Sequence, residues 1–355
     1  MSEPPRLFNL DLDHRTESRI LDGHAVRITE VFWSYWYLAA ERQAMFMHRV
    51  EGATGSPTGD DILGAHRFTN AYRASDRVSQ YLLQRVIYSG PYDGPDTVFR
   101  TLLFKIFNRI ETWEHLVAHV GEPTIDGFSP QLYSDALDIR FNNDQRLYSA
   151  AYIMPSPQLG HQRKHTNHLS LLENMIADGV LEKLLNSTSL EDLYSELLDI
   201  PSFGPFLAFQ YAIDLNYSEH LDFDEMDFVV PGPGARRGID KCFADTGNLS
   251  PTEIIRAMAN SADQLFDEAG LDFADLWGRP LQLIDCQNLF CEVDKYARVA
   301  HPHIGSGGPS RIKQTYTPNT QPLSLGYPTK WGLPWDASSP TTVTGPDFID
   351  FTESQ

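Results

Sequence analysis

Cysteine, positive charge and long apolar runs are all scarce in this 355-residue sequence. No stretch approaches the roughly 18 consecutive apolar residues of a membrane-spanning helix, so no membrane partner is expected. Cys242, Cys286 and Cys291 cannot all pair, and their spacing makes neither a zinc nor an iron–sulfur signature, so they read as buried free thiols. The opening residues, MSEPPRLFNLDLDHR, carry acids and prolines where a signal peptide needs a basic segment and then an apolar one, which points to the cytoplasm. Lys and Arg number 28 against 48 Asp and Glu, a formal charge of −20. A chain with that balance does not coat DNA nonspecifically, although a local patch can still grip a few phosphates. A phosphate-binding loop of the G-x-x-x-x-G-K-[ST] type is absent as well.

What is present is an ordinary globular composition, 41% hydrophobic and 12% aromatic, with helical patterning throughout. Residues 24–50 read as one buried aromatic-rich helix, and GATGSPTGDD (52–61) as a loop. Helical patterns follow at about 67–88, 96–119 and 129–150, and another begins near Gln162. Further helices are expected around 235–245, 251–270 and 281–299. No alternation of period two persists long enough for a sheet, so the expected fold class is all-α. The expected organisation is an N-terminal segment (1–24), a helical domain (25–300) and an irregular, Pro/Gly/Ser/Thr-rich extension (301–355) wrapped on the domain through Trp331 and Trp335.

The segment 189–216 reads as helix, tight turn, helix. Pro201 stops the first helix, Gly204 permits a tight turn, and Pro205 suits the first position of the second helix. Such a turn exposes backbone N–H groups at a helix start, where a phosphate can bind. A plain pair of antiparallel helices gives the same pattern. Ile200–Ala208 resembles the hairpin of the helix-hairpin-helix DNA glycosylases: Ile200, Pro201, Gly204 and Ala208 match, while Ser202 replaces the first glycine. Phe206 stands where lyase-competent members carry a lysine, so the resemblance implies an enzyme that leaves the strand intact. That superfamily places a catalytic Asp about twenty residues beyond the second glycine. Asp227 is preferred for the role and Glu225 is second, with Glu292 and Lys295 as further catalytic candidates.

A broader resemblance covers residues 25–300. The segments FTNAYRASDRVSQYL (68–82), IPSFGPFLAFQYAIDLNYS (200–218), FVVPGPGARRGIDKCF (228–243) and IDCQNLFCEVDKYAR (284–298) resemble the α-glutamyl/putrescinyl-thymine pyrophosphorylase-like family, the helical domain attached to 5-hydroxymethyluracil DNA kinases. The resemblance implies work on hypermodified pyrimidines in DNA. One bacterial branch is an anti-phage glycosylase that excises α-glucosylated 5-hydroxymethylcytosine.

Other constellations add candidates. Asn70, Arg73, Asp76 and Gln80 fall at helical spacings, so three or more can share a face and read the edge of an extruded base, or simply form a solvated face. Gln210, Gln287 and Asn288 are further base-binding candidates; Asp285, Asn288, Glu292 and Lys295 lie on one side of a helix, with Glu292 and Lys295 placed to pair. Ser202, Phe203, Gly204, Phe206, Gly232, Gly234, Arg236 and Arg237 are candidate DNA contacts, as are Arg163 and Lys164. His161, His165 and His168 form one helical stripe, but no carboxylate joins it and two cations adjoin it, so no metal site is expected there. No cofactor and no protein partner is expected. The expected function is a monofunctional glycosylase that flips a hypermodified pyrimidine from phage DNA and hydrolyses its N-glycosidic bond. The alternatives are a transferase or pyrophosphorylase acting on 5-hydroxymethylpyrimidine DNA, and a noncatalytic DNA-binding module.

Overall fold

The computed structural model describes residues 16–52, 58–305, 309–316 and 323–343. It is mostly helical, with fourteen α-helices among the described residues. None is long and apolar enough to cross a membrane. The chain divides into two compact units, one of residues 1–76, 229–324 and 342–355, the other of residues 77–228 and 325–341.

The first unit corrects the all-α expectation. Strands β1 (Glu17–Leu21), β2 (His24–Ile28) and β3 (Phe243–Asp245) form an antiparallel sheet in the order β1-β2-β3. β1 and β2 are joined by Asp22 and Gly23, both at positive φ, 46° and 81°. An Asp-Gly pair between two five-residue runs is the strongest short hairpin signal, because this turn type requires positive φ at both central positions. The single helix expected over 24–50 therefore begins only at Glu30, with the Thr29 hydroxyl accepting the Val31 N–H as its cap.

Helix Glu30–Val50 packs its aromatic face inward: Trp36 meets Phe266 edge-on and Tyr35 lies against Phe290. Helices Pro233–Cys242 and Leu283–Ala300 approach each other very closely. A Cβ on Gly238 would come within 2.0 Å of the Phe290 carbonyl oxygen, so only glycine allows this backbone contact. Between these helices lies an ion cluster on buried Asp294, which faces Lys241 (3.0 Å), Arg298 (2.7 Å) and Arg237 (3.2 Å). Burial pushes the Asp294 carboxyl up, and the bonds from Arg298 and Lys241 outweigh it and hold it below its ordinary value.

In the second unit the pattern expected as one helix over 96–119 breaks into Gly94–Phe107 and Ile110–Val120 at Asn108, which is left-handed at φ 47°. Pro130–Asn142 and Lys164–Ala177 follow. Helices Leu190–Leu198 and Pro205–Asn216 then form the expected pair about a tight turn, the first capped by the Ser189 hydroxyl. In that turn Gly204 has ordinary extended geometry (φ −95°). The left-handed position is Ser202, at φ 74°, where the glycosylase pattern carries its first glycine. Pro205–Asn216 is buried on nearly every side and carries Asp214, whose carboxylate faces the buried Lys105 ammonium at 3.1 Å. In the C-terminal extension Trp331 lies edge-on to Tyr217 and stacks on Tyr327, and Lys330 donates to the Asn216 and Leu221 carbonyls. The acidic end, residues 344–355, lies outside the described residues.

Candidate functional site

The helical spacing of FTNAYRASD and the residues after it predicts a helix with at least three of Asn70, Arg73, Asp76 and Gln80 on one face. The structure instead has an extended loop over 67–72, a single 3-10 turn Arg73–Ser75, and then the short helix Arg77–Tyr81. Local polar bonds outcompete the helix here. The Asn70 N–H donates to the Asp76 carboxylate (2.9 Å), and the Asn70 amide donates to the Ser75 carbonyl (2.8 Å). Residues 70, 73 and 76 therefore share a loop and not a helix face.

The loop nevertheless brings three of those four residues together with residues from two helices. Arg42, on helix Glu30–Val50, donates to the Thr69 carbonyl (2.9 Å) and to the Asn70 side-chain oxygen (2.7 Å). Glu292, on helix Leu283–Ala300, accepts the Thr69 N–H (3.0 Å) and pairs with Lys295 (2.7 Å). Lys295 also sits 4.4 Å over the Phe68 ring. The Arg73 N–H donates to Asp285 (2.7 Å), which also accepts the Gln282 N–H (3.0 Å) as part of a capping box. Arg42, Arg73 and Asp285 are buried; Asn70, Asp76, Glu292 and Lys295 are half-buried. Three carboxylates and three cations thus share one loop, and both ends of the Asn70 amide are committed within it.

Electrostatics in this cluster are perturbed in a way that matters for chemistry. Burial pushes the Asp76 carboxyl up to about 6, against the pull of the Asn70 N–H and the Arg42 charge. Burial likewise raises Asp285 to about 6, against the Arg73 and Gln282 N–H bonds. Burial lowers Arg42 to about 10, with Asp76 and Glu292 opposing. A carboxyl that titrates near neutrality beside guanidinium groups can accept or return a proton while the cations hold a negative group.

The remaining expected site residues lie as follows. Gln80 accepts from the Gln84 amide (2.8 Å) and the Gly326 N–H (2.9 Å), which ties it to the second unit's interior. Gln210 is fully buried on helix Pro205–Asn216. Gln287 is buried and donates to Asn288 (3.0 Å). Asp227 is exposed in a turn whose N–H bonds the Asp224 carbonyl, whereas Glu225 is buried. The helix expected around 235–245 runs from Pro233 to Cys242, with Gly232 as its N-cap, so Asp227 lies in the turn region before it. Gly234 abuts Cys291, where an added Cβ would lie 3.0 Å from the sulfur; Arg236 is exposed and Arg237 is engaged with Asp294. In the hairpin turn Phe203 packs edge-on to Tyr211, and Phe206 stacks on Tyr152 at 5.8 Å.

The histidine stripe is broken up among separate partners. His161 bonds Ser170, His165 bonds Asp138 (2.7 Å), and His168 bonds Tyr148 (2.9 Å) and the Pro155 carbonyl. Arg163 pairs with Asp138 (2.6 Å), and Lys164 lies 4.4 Å over the Tyr148 ring. Sequence reading missed Arg42, because one arginine in an apolar helix carries no spacing signal. It missed the Lys105–Asp214 pair because its members lie far apart in sequence.

A mostly helical protein with a buried, mixed-charge polar cluster is the class that fold and site define. The chain belongs to the family described as the 5-hmdU DNA kinase helical domain, which it matches over residues 29–306. It is 24% identical over 289 residues to a protein of Bacillus phage SP10 named 5-hmdU DNA kinase, covering 75% of this chain and 45% of that relative. The chain therefore spans less than half the length of that relative. No solved structure matches it significantly.

These findings correct the glycosylase expectation. The family description and the relative's name both specify a DNA kinase, a phosphate-transferring enzyme, and not a hydrolase of N-glycosidic bonds. The excision-based defence role goes with it. The error has a physical origin: a helix, a Pro/Gly turn and a second helix are a backbone solution open to many helical folds and carry no reaction chemistry of their own.

Proposed function

We propose that this chain acts on DNA carrying 5-hydroxymethylpyrimidines, as a transferase that modifies the extruded base. The observation that carries the reading is that the family match, residues 29–306, encloses the whole polar cluster from Arg42 to Lys295. The target nucleotide leaves the stack, because the exocyclic carbon at position 5 must meet both protein groups and a second reactant. The substrate is a hydroxymethyl group already carrying a phosphate ester. An amine bonds to the exocyclic carbon as the C–O bond breaks, the phosphate leaves with the electron pair, and the amine proton passes to Asp76. Arg73 and Lys295 offset the leaving group's charge, and the 189–216 hairpin contacts backbone phosphates.

The test is mass analysis of nucleosides from thymine, 5-hydroxymethyluracil and phosphorylated 5-hydroxymethyluracil duplexes, incubated with the protein and a primary amine. The expected result is a new, heavier nucleoside in the phosphorylated arm alone. Alkali-labile abasic sites, or no change in any arm, overturn the reading. A second reading, a noncatalytic module that presents modified DNA to a separate catalytic domain, is favoured by the match being to one domain of a longer relative. It requires that Asp76→Asn and Glu292→Gln leave function intact.

A further inference from the structure

Outside this cluster, one group of side chains converges as metal ligands do. Glu30 is the first residue of helix Glu30–Val50, and His301 is the C-cap of helix Leu283–Ala300. The same carboxylate oxygen of Glu30 faces His301 Nδ1 at 2.9 Å and His303 Nε2 at 2.7 Å, and the three potential ligand atoms all lie within 4.8 Å of one another. Among the described residues no other group of three such side chains does this. We propose that Glu30, His301 and His303 form a binding site for a divalent transition cation, zinc by ligand chemistry, with water in the fourth position.

Two imidazoles and one carboxylate are a common three-ligand set for zinc, with nitrogen and oxygen distances of about 2.0–2.2 Å. Ligand atoms on one tetrahedral ion then lie about 3.4 Å apart. The two Glu30–histidine contacts must open by roughly half an ångström, and the His303 side chain, 43% exposed, has room to do so. The second observation is the support behind His301, whose Nε2 lies 2.7 Å from the Ser34 hydroxyl, one turn along the Glu30 helix. A ligating histidine characteristically bonds its other ring nitrogen to a fixed partner, which sets the tautomer and the ring plane. A serine hydroxyl suits both states, donating to Nε2 when Nδ1–H faces Glu30 and accepting from Nε2–H once Nδ1 holds a cation. The carbonyl end of the 283–300 helix also favours positive charge at His301. The nearby cation Lys241 is already committed to Asp294, donating to its carbonyl at 2.9 Å and facing its carboxylate at 3.0 Å.

The function is a clip. It joins the start of the first helix to the end of the last long helix, and these ends nearly coincide with the limits of the family match at residues 29 and 306. A cation held by the folded state alone stabilises that state, and the gain rises with the logarithm of the free metal concentration once that exceeds Kd.

The experiment uses the full chain stripped with a chelator, then titrated with Zn²⁺ by calorimetry and with Co²⁺ by visible absorption. One equivalent of each is expected, with tetrahedral ligand-field bands for Co²⁺ and a rise in Tm of several degrees with Zn²⁺. His303→Ala, at an exposed position, should fold, bind at least 100-fold more weakly and lose the Tm rise; Ser34→Ala should cost about tenfold in affinity. No stoichiometric binding overturns the proposal. So does unchanged affinity in His303→Ala, which would assign the metal to another part of the chain.

Discussion

At the scale of single residues, the most telling property is the protonation of Asp76 and Asp285. Both titrate near 6 because burial disfavours their charge. In the unfolded chain the same groups titrate near about 3.9. Between those values the native state binds more protons than the unfolded one, so their contribution is fully present below about pH 4 and is lost as pH rises through about 6. If Asp76 is the proton acceptor, activity climbs as pH rises through about 6, and Asp76→Asn abolishes that limb of the profile along with most of the rate. A profile unchanged in the variant would remove Asp76 from the reaction. A second residue-scale prediction concerns Lys105, whose replacement by Met leaves Asp214 charged, buried and without this ammonium. The expected loss is roughly 3–5 kcal/mol, read by urea unfolding. Adding Asp214→Leu should recover most of it, because a buried pair replaced by apolar side chains is often neutral.

At the scale of elements, the two glycine-like positions of the hairpin exchange roles relative to the sequence expectation. Ser202 holds the left-handed conformation and Gly204 does not, with nothing within 4 Å of a Cβ placed on Gly204. Ser202→Gly should therefore stabilise the protein by about 1 kcal/mol, and Gly204→Ala should be close to neutral, both measured as ΔTm. Gly238→Ala should be severely destabilising, since its Cβ would overlap the Phe290 carbonyl. Helices such as 283–300 and the 189–216 pair were legible because an apolar period of 3.6 or a Pro/Gly turn stands in one continuous window. The β1–β2 hairpin was equally legible at Asp22-Gly23, yet the aromatic run after it drew the whole segment into one helix. The 67–76 loop was not legible, because its shape depends on an Asp side chain reaching back to Asn70 and on Arg42 and Glu292 arriving from distant helices.

At the scale of the whole molecule, a charge of −20 must be reconciled with the DNA substrate proposed above. Binding through a few phosphates, with the modified base supplying much of the discrimination, requires no basic surface, and log Kd should change with log salt by about 0.9 per phosphate held. A slope corresponding to two to four phosphates is the expectation; a steep one would indicate a broad basic footprint that the composition opposes. The central claim is that the chain recognises the phosphorylated 5-hydroxymethyl group. It is tested most directly by competition fluorescence anisotropy at fixed salt, in which duplexes identical except for thymine or phosphorylated 5-hydroxymethyluracil at one position displace a labelled modified duplex. A preference of at least tenfold for the phosphorylated duplex is the predicted result, and equal displacement by the two duplexes would contradict the account.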